Sequence, residues 1–133
     1  IEVVVEGSNV QVIKIVSVVD CGRVLDRGIA TSNIEGGSIF GLSYCKAQVT
    51  FKSGRVEQDN FNTYEMPYLA EAPEMVTEFI ESNAALGGVG EVSPVTVPPA
   101  LLNAIYRASG RRLRSLPLAL HGMQFALRGV RSQ

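Results

Sequence analysis

Val10-Gln11-Val12-Ile13-Lys14-Ile15-Val16-Ser17-Val18-Val19 is the stretch on which the fold turns. Aliphatic side chains stand on both of its alternating faces, and a strand of that kind belongs in the middle of a sheet with cover on each side. It stops at Asp20-Cys21-Gly22, where the chain must turn. Upstream, Glu2 to Glu6 is a second β-branched run, and Gly7-Ser8-Asn9 between the two is a turn signal. From Ala30 to Tyr44 the period changes: Ala30, Ile34, Gly37, Gly41 and Tyr44 recur at helical intervals and form one face of small and apolar residues. Gly36, Gly37 and Gly41 each cost about 1 kcal/mol relative to alanine inside a helix. Such a helix usually has another backbone or a bound ligand close against it, and the sequence leaves both open.

Further on, Gln48 to Lys52 and Arg55 to Gln58 flank Ser53-Gly54 and read as a tight hairpin. Met66 to Pro73 is a proline-marked connection, and Met75 to Glu81 is another strand. Pro98-Pro99 suits a helix start, because the missing N–H groups fall where a helix has no internal acceptors. Leu101, Leu102, Ile105 and Ala108 supply its buried face and Gly110 its stop. Leu113 to Leu118 adds a last short strand. The order β-β-α-β-β-β-α-β predicts an α+β fold, a two-layer domain with a mixed sheet packed against helices. The 133 residues suit a single domain, 1–133. The chain begins at Ile1 inside a strand pattern without an initiator methionine, which points to a fragment of a larger protein.

An apolar fraction of 46% and a charged fraction of 19% describe a globular chain with a core. A net charge of -1 argues against general polyanion binding. Acidic residues crowd the middle, from Glu57 to Glu81, and arginines the end: Arg107, Arg111, Arg112, Arg114, Arg128 and Arg131. Only Tyr106 and Phe125 accompany those arginines, too few aromatics for a base-stacking surface, so no nucleic-acid partner is expected. Cys21 and Cys45 show no metal-ligand spacing and read as separate small core residues. His121 is the only histidine, which excludes a histidine-rich metal site. No apolar run approaches the length of a membrane span.

The chemistry sits in Gly87-Gly88-Val89-Gly90-Glu91, preceded by Asn83-Ala84-Ala85-Leu86. Glycines let backbone N–H groups crowd round a ligand. A carboxylate at the end of such a loop can be held in a cleft, where lost hydration raises its pKa and makes it a base near neutrality. The spacing matches neither the dinucleotide fingerprint nor the P-loop. By itself the motif leaves Glu91 open between a base and a solvated side chain.

That loop, followed by Pro98-Pro99-Ala100-Leu101-Leu102-Asn103-Ala104-Ile105, resembles the C-terminal active-site segment of the xanthine dehydrogenase and aldehyde oxidase family, the molybdenum hydroxylases. Val19-Asp20-Cys21-Gly22-Arg23 and Asn33-Ile34-Glu35-Gly36-Gly37 are similar to the family's strand end and its Gln-hydrophobic-Glu-Gly-Gly helix. Gly110-Arg111-Arg112-Leu113-Arg114-Ser115-Leu116-Pro117-Leu118 matches the ending of the isoquinoline 1-oxidoreductase large (beta) subunit branch. The likeness runs in order from about Ile15 to Leu118.

The resemblance implies the molybdenum-cofactor-binding-domain type of fold, within a larger molybdopterin-binding subunit. It implies hydroxylation of an N-heterocycle or oxidation of an aldehyde with oxygen from water. Glu91 stands where the family's base takes the proton from the Mo–OH group. Gly88 and Gly90 stand where backbone approaches the cofactor, and Asn33 where the family commonly has a glutamine that reaches it. Asparagine is one methylene shorter, and Val92 replaces the family's usual proline after the base. The resemblance implies no protein ligand to the metal, which the pterin holds. The cofactor is molybdopterin, with the cytosine dinucleotide form as an option. Iron–sulfur clusters lie on a small partner subunit, and the remainder of the large subunit is the other partner. Export in folded form to the periplasm or membrane surface is the expected location, with the cytoplasm as the alternative. The fragment alone is expected to be inactive. A non-catalytic binding or assembly domain of the same fold is the competing reading.

Overall fold

In the computed structural model, residues 1–126 are described. The elements run β1 Glu2–Glu6, β2 Asn9–Val19, α1 Arg27–Lys46, β3 Phe51–Lys52, β4 Arg55–Val56, β5 Glu74–Phe79, α2 Val92–Ser109 and β6 Gln124–Phe125. Short 3-10 turns lie at Leu69–Glu71 and Leu118–His121. β1 and β2 form an antiparallel hairpin whose two-residue turn places Gly7 at φ 61°. Their pairing steps from Val3↔Val12 to Glu2↔Lys14 and leaves Ile13 over. An extra residue of this kind exchanges the faces beyond it. Val10 and Val12 therefore share the buried face with Ile15.

β2 also pairs in parallel with β5, from Lys14↔Glu74 to Val19↔Phe79, and with β6 at Asn9↔Gln124 and Val10↔Phe125. The sheet is thus mixed, as expected. Helices α1 and α2 lie against one face of it and against each other, which gives the expected two-layer α+β architecture. Val10, Val12, Ile15, Leu42, Leu101 and Ile105 are buried together where sheet and helices meet. Burial of a side chain of that size is worth about 1.5–3 kcal/mol. The expectation that β2 is covered on both faces is met on one only: on the other, Val16 and Val18 remain 54% and 62% exposed among the described residues.

α1 starts where Asp26 accepts a hydrogen bond from the Ile29 N–H at 2.9 Å, a side-chain cap on an otherwise unpaired donor. Its glycine face packs against α2. A Cβ at Gly41 would lie 2.8 Å from the Pro94 carbonyl oxygen and 2.9 Å from Val97 Cβ, and one at Gly37 would strike the Ser93 hydroxyl. Helix packing, rather than a ligand, therefore accounts for Gly37 and Gly41. Gly36 faces open space. Cys45 lies in the core, where burial pushes its thiol up to about 12.

α2 begins at Val92, six residues before the predicted start at Pro98. Pro98 and Pro99 stand inside it and remove two N–H donors. Its apolar face is continuous across them through Ser93, Pro94, Val97, Leu101 and Ile105. Burial of that face against α1 outweighs the missing hydrogen bonds. Gly110 ends the helix at φ 72°, as predicted. The predicted strand from Leu113 to Leu118 is absent: Leu118–His121 is a 3-10 turn and β6 follows it. Pro117 can give no N–H to a ladder, and Leu113 and Leu118 instead put their side chains into the core. The Ser53-Gly54 hairpin forms with both residues at positive φ, 49° and 74°, as a tight primed turn requires. Its strands are two residues each and exposed, shorter than the pattern predicts.

Candidate functional site

β2 and β5 are parallel, so their carboxyl ends leave the sheet at the same place. The two loops that follow are clasped together. Gly22, at φ 70°, packs so closely that a Cβ there would collide with the carbonyl oxygens of Ala84 and Ala85. The Gly87 N–H donates to the Cys21 carbonyl at 2.9 Å. The Asp20 carboxylate accepts from the Ser82 hydroxyl at 2.7 Å and from the Gly22 N–H at 3.1 Å. Those two bonds, the Ser82 bond foremost, hold its pKa below the usual carboxylate range.

Past Gly87 the loop opens. A Cβ at Gly88 or Gly90 would meet nothing within 4 Å, so bare backbone is presented outward. Glu91 comes next, at the cap position of α2, with φ -127° and ψ 12°. Its carboxylate makes no capping bond to the helix, is exposed, and has no hydrogen bond or ion pair to another described residue. It is not tied down in a surface ion pair. The clasp below it and α2 above it fix where its backbone sits.

Asn33 is exposed on α1 and lines a shallow apolar groove of about 270 Å³ with Cys21, Val24, Ile29, Leu86 and Val89. Gly88 lines a second groove, of about 420 Å³, between β2 and the first half of α2. Glu91 and Gly90 line neither. The fold thus brings Asn33 to the glycine loop and Glu91 to the end of that loop, and neither of these two grooves is lined by all four predicted residues. Among the described residues, no group of three His, Cys, Asp or Glu side chains could hold a metal ion. No described helix is long and apolar enough to cross a membrane.

Two features escape the sequence reading. Ser82 clasps Asp20 across 62 positions, a spacing no local pattern reveals. The Ser93 hydroxyl is buried beside Gly37 without a hydrogen-bond partner among the described residues. Of the terminal arginines, Arg112 stacks on the Tyr106 ring at 3.6 Å and bonds Asn103, and Arg111 bonds the His121 carbonyl. Both are engaged by the fold itself. Arg128 and Arg131 lie outside the described residues.

Residues 1–73 match the molybdopterin cofactor-binding domain family. The chain is 35% identical over 101 residues to isoquinoline 1-oxidoreductase subunit beta of Brevundimonas diminuta, covering 75% of this chain and 13% of that one. It is 37% identical over 116 residues to a membrane-bound aldehyde dehydrogenase of Gluconacetobacter polyoxogenes, whose name specifies pyrroloquinoline quinone, covering 84% of this chain and 15% of that one. The crystal structure of quinoline 2-oxidoreductase from Pseudomonas putida 86 shares the fold at a TM-score of 0.69 and 20% identity, over 76% of this chain and 14% of that one. This chain spans only 13% and 15% of the length of those two sequence relatives. With more than half of its length matched, the chain belongs to the molybdopterin cofactor-binding domain family of the molybdenum hydroxylases.

Proposed function

We propose that this chain, a single domain, is the cofactor-facing part of the large subunit of a molybdenum hydroxylase, with Glu91 as the base. The observation that carries the proposal is the placement of Glu91. It is an exposed carboxylate without a partner among the described residues, at the end of a glycine loop whose Gly87 is bonded to the turn that follows β2. The residues suit a large cofactor whose metal is held by its own pterin: open backbone at Gly88 and Gly90, no cluster of metal ligands among the described residues, and an amide at Asn33. When bound, the cofactor supplies the two-electron oxidation of an N-heterocycle or an aldehyde and the water-derived oxygen. Glu91 accepts the released proton on a carboxylate oxygen and holds it while product forms. Gly88 and Gly90 bring N–H groups to the cofactor, and the Asn33 amide gives it one further donor and acceptor. The cofactor is molybdopterin or its cytosine dinucleotide. Iron–sulfur clusters on a small partner subunit would take up the electrons, and the rest of the large subunit would supply the remaining cofactor contacts. The enzyme is exported folded to the periplasm or membrane surface.

The test is Glu91→Gln in the full enzyme. Turnover should fall by at least about a hundredfold, the scale of a general-base contribution, while molybdenum content stays near the parental value. Unchanged turnover would remove Glu91 from the mechanism. A purified enzyme holding pyrroloquinoline quinone in place of molybdenum would remove the proposal as a whole.

A further inference from the structure

Between β5 and α2 the chain runs from residue 80 to 91 without regular structure. From Ser82 to Gly87 its hydrogen bonds lead to one place, the turn after β2. The Ser82 hydroxyl donates to Asp20 Oδ1 at 2.7 Å, and the same oxygen accepts from the Gly22 N–H at 3.1 Å. Ser82 Oγ in turn accepts from the Ala84 N–H at 3.4 Å, and the Gly87 N–H donates to the Cys21 carbonyl at 2.9 Å. One carboxylate oxygen thus joins the two loops. Glycines at 87, 88 and 90 leave the backbone beyond it free to follow wherever that joint places it. Neither Asp20 nor Ser82 belongs to a buried cluster, so the core does not depend on them.

The helix is seated separately, with Ser93 against Gly37 and Pro94 against Gly41. Glu91, at φ -127° and ψ 12°, still has the backbone of the loop rather than of α2, so it is the residue that a slack loop would displace. We propose that Asp20 and Ser82 are positioning residues for the proton transfer at Glu91. The inference rests on the reading of Glu91 as the base. A base must stand within hydrogen-bond reach of the proton it takes, and a displacement of about 1 Å costs about a hundredfold in rate.

A double-mutant cycle in the full, molybdenum-loaded enzyme tests it. Asp20→Ala and Ser82→Ala should each lower kcat by about ten- to a hundredfold, with KM and molybdenum content near the parental values. Asp20→Asn keeps an oxygen acceptor at the same place and should retain most of kcat. In a Glu91→Gln background, Asp20→Ala and Ser82→Ala should leave the residual kcat unchanged, because the group they position is gone. An equal fold-loss with and without Glu91 would overturn the inference and reduce both residues to a structural role. Loss of molybdenum from either variant would overturn it in favour of cofactor retention. Ser82→Ala leaves the bond to Gly22 in place and decides the matter should Asp20→Ala fail to fold. Parental kcat in Ser82→Ala beside a crippled Glu91→Gln would overturn this inference alone, whereas parental kcat in Glu91→Gln would overturn it together with the proposed base.

Discussion

One methyl group added to α1 at Gly36, and in a second variant at Gly41, should change stability in opposite directions. Both positions are interior to the same helix, five residues apart, so alanine gains about 0.5–1 kcal/mol of helix propensity at each. At Gly36 nothing lies within 4 Å of the new Cβ, and the whole gain should appear. At Gly41 the new atom would sit 2.8 Å from the Pro94 oxygen, 2.9 Å from Val97 Cβ and 3.1 Å from Pro94 Cα. Two of those three are backbone of α2 and cannot rotate away. Overpacking of this kind costs about 1–3 kcal/mol, which leaves Gly41→Ala a net loss of about 1–2 kcal/mol. The two variants should therefore differ by about 1.5–3 kcal/mol, roughly a 10- to 150-fold change in the folded-to-unfolded ratio. Urea unfolding followed by circular dichroism gives both values from shifts of the midpoint at constant slope. Because the displaced helix carries Glu91 at its start, Gly41→Ala should also lower turnover in the full enzyme, and Gly36→Ala should not. Equal stabilisation by the two alanines would refute the close helix contact and with it the account of why these glycines are there.

Ser93→Ala removes a buried hydroxyl that has no hydrogen-bond partner among the described residues, and should raise stability by about 1 kcal/mol in the same urea assay; a loss would show that the hydroxyl is satisfied. Asp20 has a folded-state pKa below its reference value of 3.8, so its contribution to stability is present above that pH and is lost as pH falls through the folded value. Acid titrations of stability should accordingly show a smaller decline below about pH 3.8 for Asp20→Asn than for the parent, and superimposable curves would show that the clasp does not act.

Much of the layer arrangement was legible in the sequence because period and turn chemistry are local. The apolar run of β2, the spaced small residues of α1, Ser53-Gly54 and Gly110 each announce themselves within a few residues. The start of α2 was misplaced because proline counts locally as a stop or a start, while the face that overrides it is defined by α1, some fifty residues earlier. Leu113 to Leu118 has strand-like composition, yet Leu113 and Leu118 serve the core without a ladder. Glycine at 36 and at 41 looks alike in sequence, and only the packing separates an open position from a crowded one. Glu91 could be singled out by its glycine loop and by family resemblance. The clasp beneath it, joining Asp20 to Ser82 and Gly22 to Ala84 and Ala85, depends on loops that meet only in three dimensions.

The ladder of β2 also fixes when this region can take shape during synthesis. Beyond its hairpin partner β1, its partners lie 60 positions away, as in Lys14↔Glu74, and 115 away, as in Asn9↔Gln124. Pairings at such separations carry a large loop-closure cost before they return anything, so they form late. A nascent chain can pair β2 with β1 across the two-residue turn at once, but the other edge of β2 stays unmatched until β5 and then β6 have been made. Chaperone holding or rapid onward synthesis therefore matters most over that interval, before the glycine loop has anything to be seated on.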